Sequence, residues 1–222
     1  MLPRALAHYD KAYFDKWYRH PRHRVKTTLD MTRQLRFVIA ATEYLLDRPV
    51  RRVLDVGCGE GNWRAVLKQL RPGVRYYGVD GSAYAVRRYG KRRNIRLGTF
   101  ATLGSLGLPG HFDLVLCLGV INYLPASEFR AGLLQIAALL DGVAYFEIFT
   151  RADEATGDFT KEYARWPGWY RREIRRGAFV PLGMHLYLPK ALAWHAASLE
   201  RSELRGPAPS GARGQSSKSR GR

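Results

Sequence analysis

Cysteine is scarce in this chain of 222 residues: only Cys58 and Cys117 are present, which excludes a disulfide framework and suits a reducing compartment. Both are read as buried thiols. No apolar run reaches the roughly 18 residues of a membrane span, because Asp141 interrupts the best candidate between Leu133 and Phe149. The opening Met1-Leu-Pro-Arg-Ala-Leu-Ala-His lacks the continuous apolar stretch of a secretory signal, so a cytoplasmic protein with no membrane partner is expected. The six histidines have no cysteine near them, and no metal site is expected. Acids are also few, 19 against 37 Lys and Arg. The resulting net charge of +18 would ordinarily point to nucleic acid or an anionic surface. No internal repeat is evident, and the length suits one domain rather than two.

What is present is a glycine cradle. Residues 53–62 read Val-Leu-Asp-Val-Gly-Cys-Gly-Glu-Gly-Asn, an apolar strand that breaks into glycines at alternate positions. Glycine at 57, 59 and 61 removes the Cβ atoms that would hold a ligand away from the backbone and permits positive φ. Trp63, Val66, Leu67 and Leu70 follow at helical spacing, so a helix N-terminus faces the same ligand. A strand ending in Asp80 then places an acid where ribose hydroxyls are bound in nucleotide-binding sheets.

Two further carboxylates narrow the ligand. Asp55 ends the first strand, Glu60 lies in the loop, and the third glycine comes one residue earlier than in G-x-G-x-x-G. A doubly negative pyrophosphate is disfavoured there, whereas the ammonium and sulfonium of S-adenosylmethionine are favoured. On these residues, with Gly78-Val-Asp80, a fourth strand Phe112-Asp-Leu-Val-Leu-Cys117 and a fifth at residues 142–149, the chain resembles the class I S-adenosylmethionine-dependent methyltransferases. The resemblance spans residues 51–149.

The resemblance implies an α/β fold, a Rossmann-like doubly wound, mostly parallel sheet of six or seven strands with helices on both faces. It places S-adenosylmethionine over the carboxyl ends of the strands. Gly57 and Gly59 approach the methionine portion, with Asp55, Cys58 and Gly61 in the same stretch. Asp80 takes the ribose, flanked by Gly81 and Ser82. Thr99 and Phe100 border the adenine, Phe100 as a packing surface for the ring. Gly119 lies at the end of the fourth strand. Many relatives carry an acid where Thr99 stands.

Periodicity predicts helices at residues 28–46, 82–93, 125–140 and 169–176, a short strand at 94–100 and a sixth strand at 179–188. After Pro189, residues 190–199 look helical, so a closing seventh strand is either missing or reduced to residues 184–188. Three regions result: an aromatic, basic lid segment at 1–26, the methyltransferase domain at 27–200 and a basic tail at 201–222. From Arg205 onward the tail holds five basic residues and no acid. It is read as a solvated, disordered extension or as an electrostatic tether to RNA or another polyanion.

Methyl transfer needs a base only when the acceptor must lose a proton. Tyr123, just after the fourth strand, and Glu147, in the fifth, are the catalytic candidates; an aromatic wall and a structural Arg partner are the alternatives. In the lid segment Tyr9, Tyr13 and Trp17 recur every fourth residue, forming one aromatic face if helical, to pack on the sheet edge or to cover the cleft. His20 and His23 are read as surface residues rather than a base, and His111, in the loop before the fourth strand, as lying on the far side from the cofactor. A basic run at 87–93 ends a helix and is placed away from the active face. A second, at 161–176, interleaves Arg165, Arg171, Arg172, Arg175 and Arg176 with Trp166, Trp169 and Tyr170. It suits an amphipathic core helix, an anionic acceptor or nucleic acid. The leading expectation is methyl transfer to a small-molecule O or N acceptor, ahead of RNA methylation and of a non-catalytic S-adenosylmethionine-binding protein. Oligomeric state is left open.

Overall fold

The computed structural model describes residues 9–154, 163 and 165–196. The basic tail therefore lies outside the described residues, as does part of the 161–176 run. Seven strands form one sheet in the order β3-β2-β1-β4-β5-β7-β6. They are β1 (Arg52–Val56), β2 (Arg75–Asp80), β3 (Ile95–Leu97), β4 (Phe112–Leu118), β5 (Leu140–Glu147), β6 (Phe179–Gly183) and β7 (Leu186–Pro189). The first five pair in parallel, and β7 runs antiparallel to both β5 and β6. Strand order reverses between β1 and β4, so the cleft that such a reversal opens lies beyond Val56 and Leu118.

Alternation along the strands feeds two cores. Leu54, Val56, Val79, Val115 and Phe146 meet Phe129, Leu133 and Ile136 of α5 (Ala126–Leu139) and Tyr170 and Ile174 of α6 (Pro167–Arg176). Val53, Leu114, Leu116 and Val143 meet Leu35, Val38 and Ile39 of α2 (Thr28–Leu46), Val66 and Leu67 of α3 (Trp63–Leu70) and Tyr89 of α4 (Ala83–Arg93). The caps are local. Thr27 accepts from the Asp30 amide while Asp30 accepts from the Thr27 amide, a reciprocal box worth about 1 kcal/mol. Ser82 accepts from the Ala85 amide and starts α4.

The sixth-strand expectation is corrected. The run at 179–188 is two strands, joined by a turn in which Met184 and His185 have φ of 47° and 66°. Positive φ at both central residues marks the turn type that matches strand twist, usually filled by Asn-Gly; here Gly183, at φ 88°, precedes a Met-His pair whose side chains do not mark that turn. The seventh strand is present and the sheet closes with a hairpin. The segment after it forms a 3-10 helix at Lys190–His195.

The lead segment is a short α1 (Lys11–Phe14) continued by one π-helical turn, Asp15–Arg19. The every-fourth-residue face is kept: the Tyr9 and Tyr13 rings meet edge-on at 4.9 Å, and Tyr13 and Trp17 line one space. Phe14 is the residue driven to 2% exposure, and Tyr18, four residues on, packs edge-on against it. No helix among the described residues is long and apolar enough to cross a membrane.

Candidate active site

The loop after β1 is built from left-handed backbone. Gly57, Gly59 and Gly61 have φ of 72°, 55° and 73°, values that residues with a Cβ adopt only under strain. The Gly57 and Cys58 amides donate to the Val79 carbonyl at 2.7 and 3.2 Å, and the Gly61 amide closes a turn on Cys58 at 2.8 Å. A Cβ on Gly57 would overlap Val120, which follows β4, and one on Gly59 would overlap the Tyr18 hydroxyl. The strand ends and the lead segment thus approach the loop as closely as glycine allows.

Asp80 closes the far side of the loop. One oxygen accepts from the Gly59 amide at 2.6 Å and the other from the Ser82 amide at 2.7 Å. Burial raises its pKa, and those two amide bonds work in the opposite direction. Gly81 joins Asp80 to Ser82, whose hydroxyl donates to the Tyr9 carbonyl at 2.5 Å. Phe14 stacks on Tyr84 at 5.8 Å, so the lead segment lies across the start of α4 as well as over Gly59.

The two acids read as naked charges are not naked. Asp55 is 1% exposed and accepts from the Tyr76 hydroxyl at 2.8 Å. Burial is the main cause of a pKa raised to about 7, with Asp80 adding to it and the Tyr76 bond opposing it. Glu60 binds Arg19 through both oxygens, at 2.5 and 2.6 Å. The premise that both carboxylates present full negative charge to the ligand is therefore corrected: one is buried and near half-protonation at neutral pH, the other is paired with the lead segment. The basic run at 87–93 needs correction too. Arg93 donates to the Glu60 carbonyl and to Asn62, so it braces the glycine loop from α4 rather than standing apart from the active face.

Cys58 and Phe100 turn inward. The Cys58 thiol sits where a Cβ on Gly78 would contact it, in the core beneath the loop, and burial pushes its pKa well up. Only its backbone shares the loop surface. Phe100 is 2% exposed and stacks on Phe129 at 6.1 Å, with Gly132 shaped to admit its ring. Its ring is committed to the core and is not a platform for an adenine, because burying it against α5 removes more apolar surface than leaving it at the cleft rim. Thr99 stays half-buried at the end of β3, in a turn with Thr102.

Beyond β4 and β5 lies a cavity of about 160 Å³. Gly119 and Tyr123 line it from the β4 side, Glu147 from the end of β5, and Trp17, Tyr18 and Trp63 from the other elements. Both catalytic candidates, Tyr123 and Glu147, thus face one space. Glu147 receives Lys26 Nζ at 2.7 and 2.9 Å and Gln34 Nε2 at 3.1 Å. Gln34 also accepts from Lys26 at 2.6 Å and donates to the Tyr145 hydroxyl at 2.7 Å, which locks the carboxylate in place. The structural Arg partner anticipated for Glu147 is a lysine instead. Lys26 and Gln34 were missed by sequence reasoning, whereas Tyr18 belongs to the aromatic lid segment expected there. Phe14 and Tyr18 do share an i, i+4 spacing, but Lys26 sits in a basic stretch where nothing marks it out.

His20 and His23 stack on each other at the surface, and His111 pairs with Asp141 there. Among the described residues, no group of three or more His, Cys, Asp or Glu is arranged to hold a metal ion.

A sheet in this order, with its glycine loop at the strand reversal and a buried acid at the end of β2, defines an S-adenosylmethionine-dependent methyltransferase of class I. The family model described as "Methyltransferase domain" matches residues 29–197, and the chain belongs to that family. Its cofactor is S-adenosylmethionine. The fold is similar to magnesium protoporphyrin IX methyltransferase from Synechocystis PCC 6803, with 21% identity, a TM-score of 0.54 and coverage of 82% of this chain and 88% of that one. It is also similar to an S-adenosylmethionine-dependent methyltransferase from Clostridium acetobutylicum, with 14% identity, a TM-score of 0.58 and coverage of 77% and 86%. An uncharacterized protein of Synechococcus sp. is 30% identical over 115 residues, which is 49% of this chain and 27% of that protein's length.

Proposed function

We propose that this enzyme is cytoplasmic and transfers a methyl group to an oxygen or nitrogen of a small molecule held in the cavity beyond β4 and β5. The observation that carries the reading is that space itself. It is walled by Trp17, Tyr18, Trp63 and Tyr123 with Lys26 and Glu147 as its charged groups, a mostly apolar lining with a few polar groups that supports a small organic acceptor. The free thiols of Cys58 and Cys117, both buried, are consistent with a reducing location.

The residues fit the cofactor. The left-handed glycine loop lets Val120, Phe14 and Tyr18 come into contact with its backbone where a Cβ would block them, and Gly57, Gly59, Gly61 and the backbone of Asp55 and Cys58 are assigned to the methionine portion. Asp80, flanked by Gly81 and Ser82, is assigned to the ribose. Each of its oxygens already accepts one amide and keeps a second lone pair for a hydroxyl. Thr99 borders the adenine end, and Gly119 lies between cradle and cavity. When bound, the cofactor supplies a methyl group already activated by its sulfonium, so positioning accounts for much of the rate. Residues 9–26 cover the cleft, and Phe14 and Tyr18 must shift from Gly59 to admit the cofactor. Glu147 is assigned as the group that takes a proton from the acceptor, with Tyr123 beside it in the cavity wall.

Incubation with radiolabelled S-adenosylmethionine and either a pooled metabolite extract or total RNA separates the readings. Label in small molecules supports this one. Label in RNA alone overturns it in favour of RNA methylation, and cofactor binding with no transfer to either pool identifies a non-catalytic binding protein.

A further inference from the structure

The cavity beyond β4 and β5 holds an ion pair, and the pair sorts the acceptors that could use it. Glu147 is fixed at the end of β5, where the Gly119 amide donates to its carbonyl at 3.0 Å. Lys26 immediately precedes Thr27, whose capping box fixes the start of α2. Its ammonium reaches Gln34 Oε1 at 2.6 Å and the two Glu147 oxygens at 2.7 and 2.9 Å, and lies 5.5 Å from the centre of the Trp63 ring. Both side chains are mostly buried, and both line the cavity. An acceptor there meets anion and cation together.

Three acceptor classes respond differently to that pair. A carboxylate arrives with no proton to give up, so Glu147 has nothing to accept and repels it. An amine nitrogen gains positive charge as the methyl group arrives, and Lys26 opposes that charge at close range. A hydroxyl uses both groups: its proton goes to Glu147, and the negative charge left on oxygen falls beside Lys26. Protonating Glu147 also weakens its hold on the ammonium, which frees an N–H for the oxygen. An aliphatic alcohol is far too weak an acid for a carboxylate to deprotonate, whereas a phenol spreads its negative charge over the ring and is much more acidic. Trp17, Tyr18, Trp63, Tyr123 and Phe149 in the lining offer such a ring flat apolar faces.

We infer that the methyl acceptor is a phenol, methylated on oxygen, and that Lys26 selects it by stabilising the phenolate. In the step, the O–H bond breaks with its proton going to Glu147, a new O–C bond forms, and the C–S bond breaks with its electron pair left on sulfur. The products are a methyl ether, a neutral thioether and a protonated Glu147, so no further reactant is needed. The inference rests on the reading that the cavity binds the acceptor and that Glu147 takes its proton.

The test uses the full-length protein saturated with S-adenosylhomocysteine and three ring-matched probes, 4-nitrophenol, 4-nitroaniline and 4-nitrobenzoate, below the pH at which free 4-nitrophenol ionises. Bound 4-nitrophenol should show the yellow phenolate absorbance. Calorimetry should find it about tenfold to a hundredfold tighter than either other probe, as a charged hydrogen bond gives. Lys26→Met should lose both the absorbance and the preference, and Lys26→Arg should keep most of each. Each readout is a spectrum or a ratio within one protein, so a general loss of stability does not mimic it. Neutral 4-nitrophenol in the wild-type complex, binding of 4-nitroaniline or 4-nitrobenzoate as tight as that of 4-nitrophenol, or a Lys26→Met spectrum equal to wild type overturns the inference. The position of radiolabel in the metabolite extract, read by mass spectrometry, separates this inference from the reading beneath it. Label in aryl methyl ethers is expected; label on nitrogen or in methyl esters overturns the phenol assignment alone, and no label in small molecules overturns the small-acceptor reading itself.

Discussion

Replacing Asp55 by Asn should change how stability depends on pH more than it changes stability itself. The side chain is buried and accepts the Tyr76 hydroxyl at 2.8 Å, a bond that an Asn oxygen can still accept at nearly the same volume. Its carboxyl moves from an ordinary 3.8 to about 7 on folding, mainly because burial penalises the charge. Between those values the folded protein keeps a proton that the unfolded chain has released, so stability falls as pH rises from about 4 to about 7. Over roughly three pH units at about 1.36 kcal/mol each, the loss attributable to this group is about 4 kcal/mol. Asn has nothing to ionise and does not incur it. Urea unfolding followed by tryptophan fluorescence, run on both proteins from pH 4 to 8, isolates the effect, because all other acids are common to the pair. The stability of the variant relative to wild type should climb by about 4 kcal/mol across the range and level off above pH 8. Parallel curves would refute the reasoning, since they would mean that Asp55 is ionised in the folded state throughout.

Two further outcomes are expected. Gly57→Ala forces a Cβ into left-handed backbone and against Val120; it should cost about 1–3 kcal/mol in denaturant unfolding and weaken S-adenosylhomocysteine binding at least roughly tenfold. Unchanged values for both would show that the loop is not as tightly fitted as its geometry indicates. Glu147→Gln retains a side chain that Lys26 can reach but removes the base, so turnover of an accepted substrate should fall about a hundredfold or more while S-adenosylhomocysteine affinity holds. Near-normal turnover would move the proton-accepting role to Tyr123.

The cofactor half of this fold was legible because glycine is chemically unambiguous. Positions 57, 59 and 61 need positive φ, no other residue supplies it so cheaply, and Asp80 follows at the end of the next strand. Helix α2 was legible to the residue because its apolar stripe is regular and Thr27 and Asp30 cap it. The hairpin was not, since Met184 and His185 adopt a turn conformation that their side chains do not advertise. Local pattern also cannot say which way a charge points. Glu60 read as a ligand-facing acid until Arg19, 41 residues away in the chain, was found across from it. Phe100 was placed at the adenine by its position after β3, but Gly132 in α5 opens a slot that draws the ring inward. In each case the deciding partner is remote in sequence.

The most direct test of the whole account is a calorimetric titration of wild type and Asp80→Ala with S-adenosylhomocysteine, with NAD titrated in parallel. The account predicts one S-adenosylhomocysteine per chain, affinity reduced at least roughly tenfold by the substitution as two hydroxyl bonds to a charged group are lost, and no binding of NAD. Binding of NAD in place of S-adenosylhomocysteine, or an Asp80→Ala affinity equal to wild type, would contradict it.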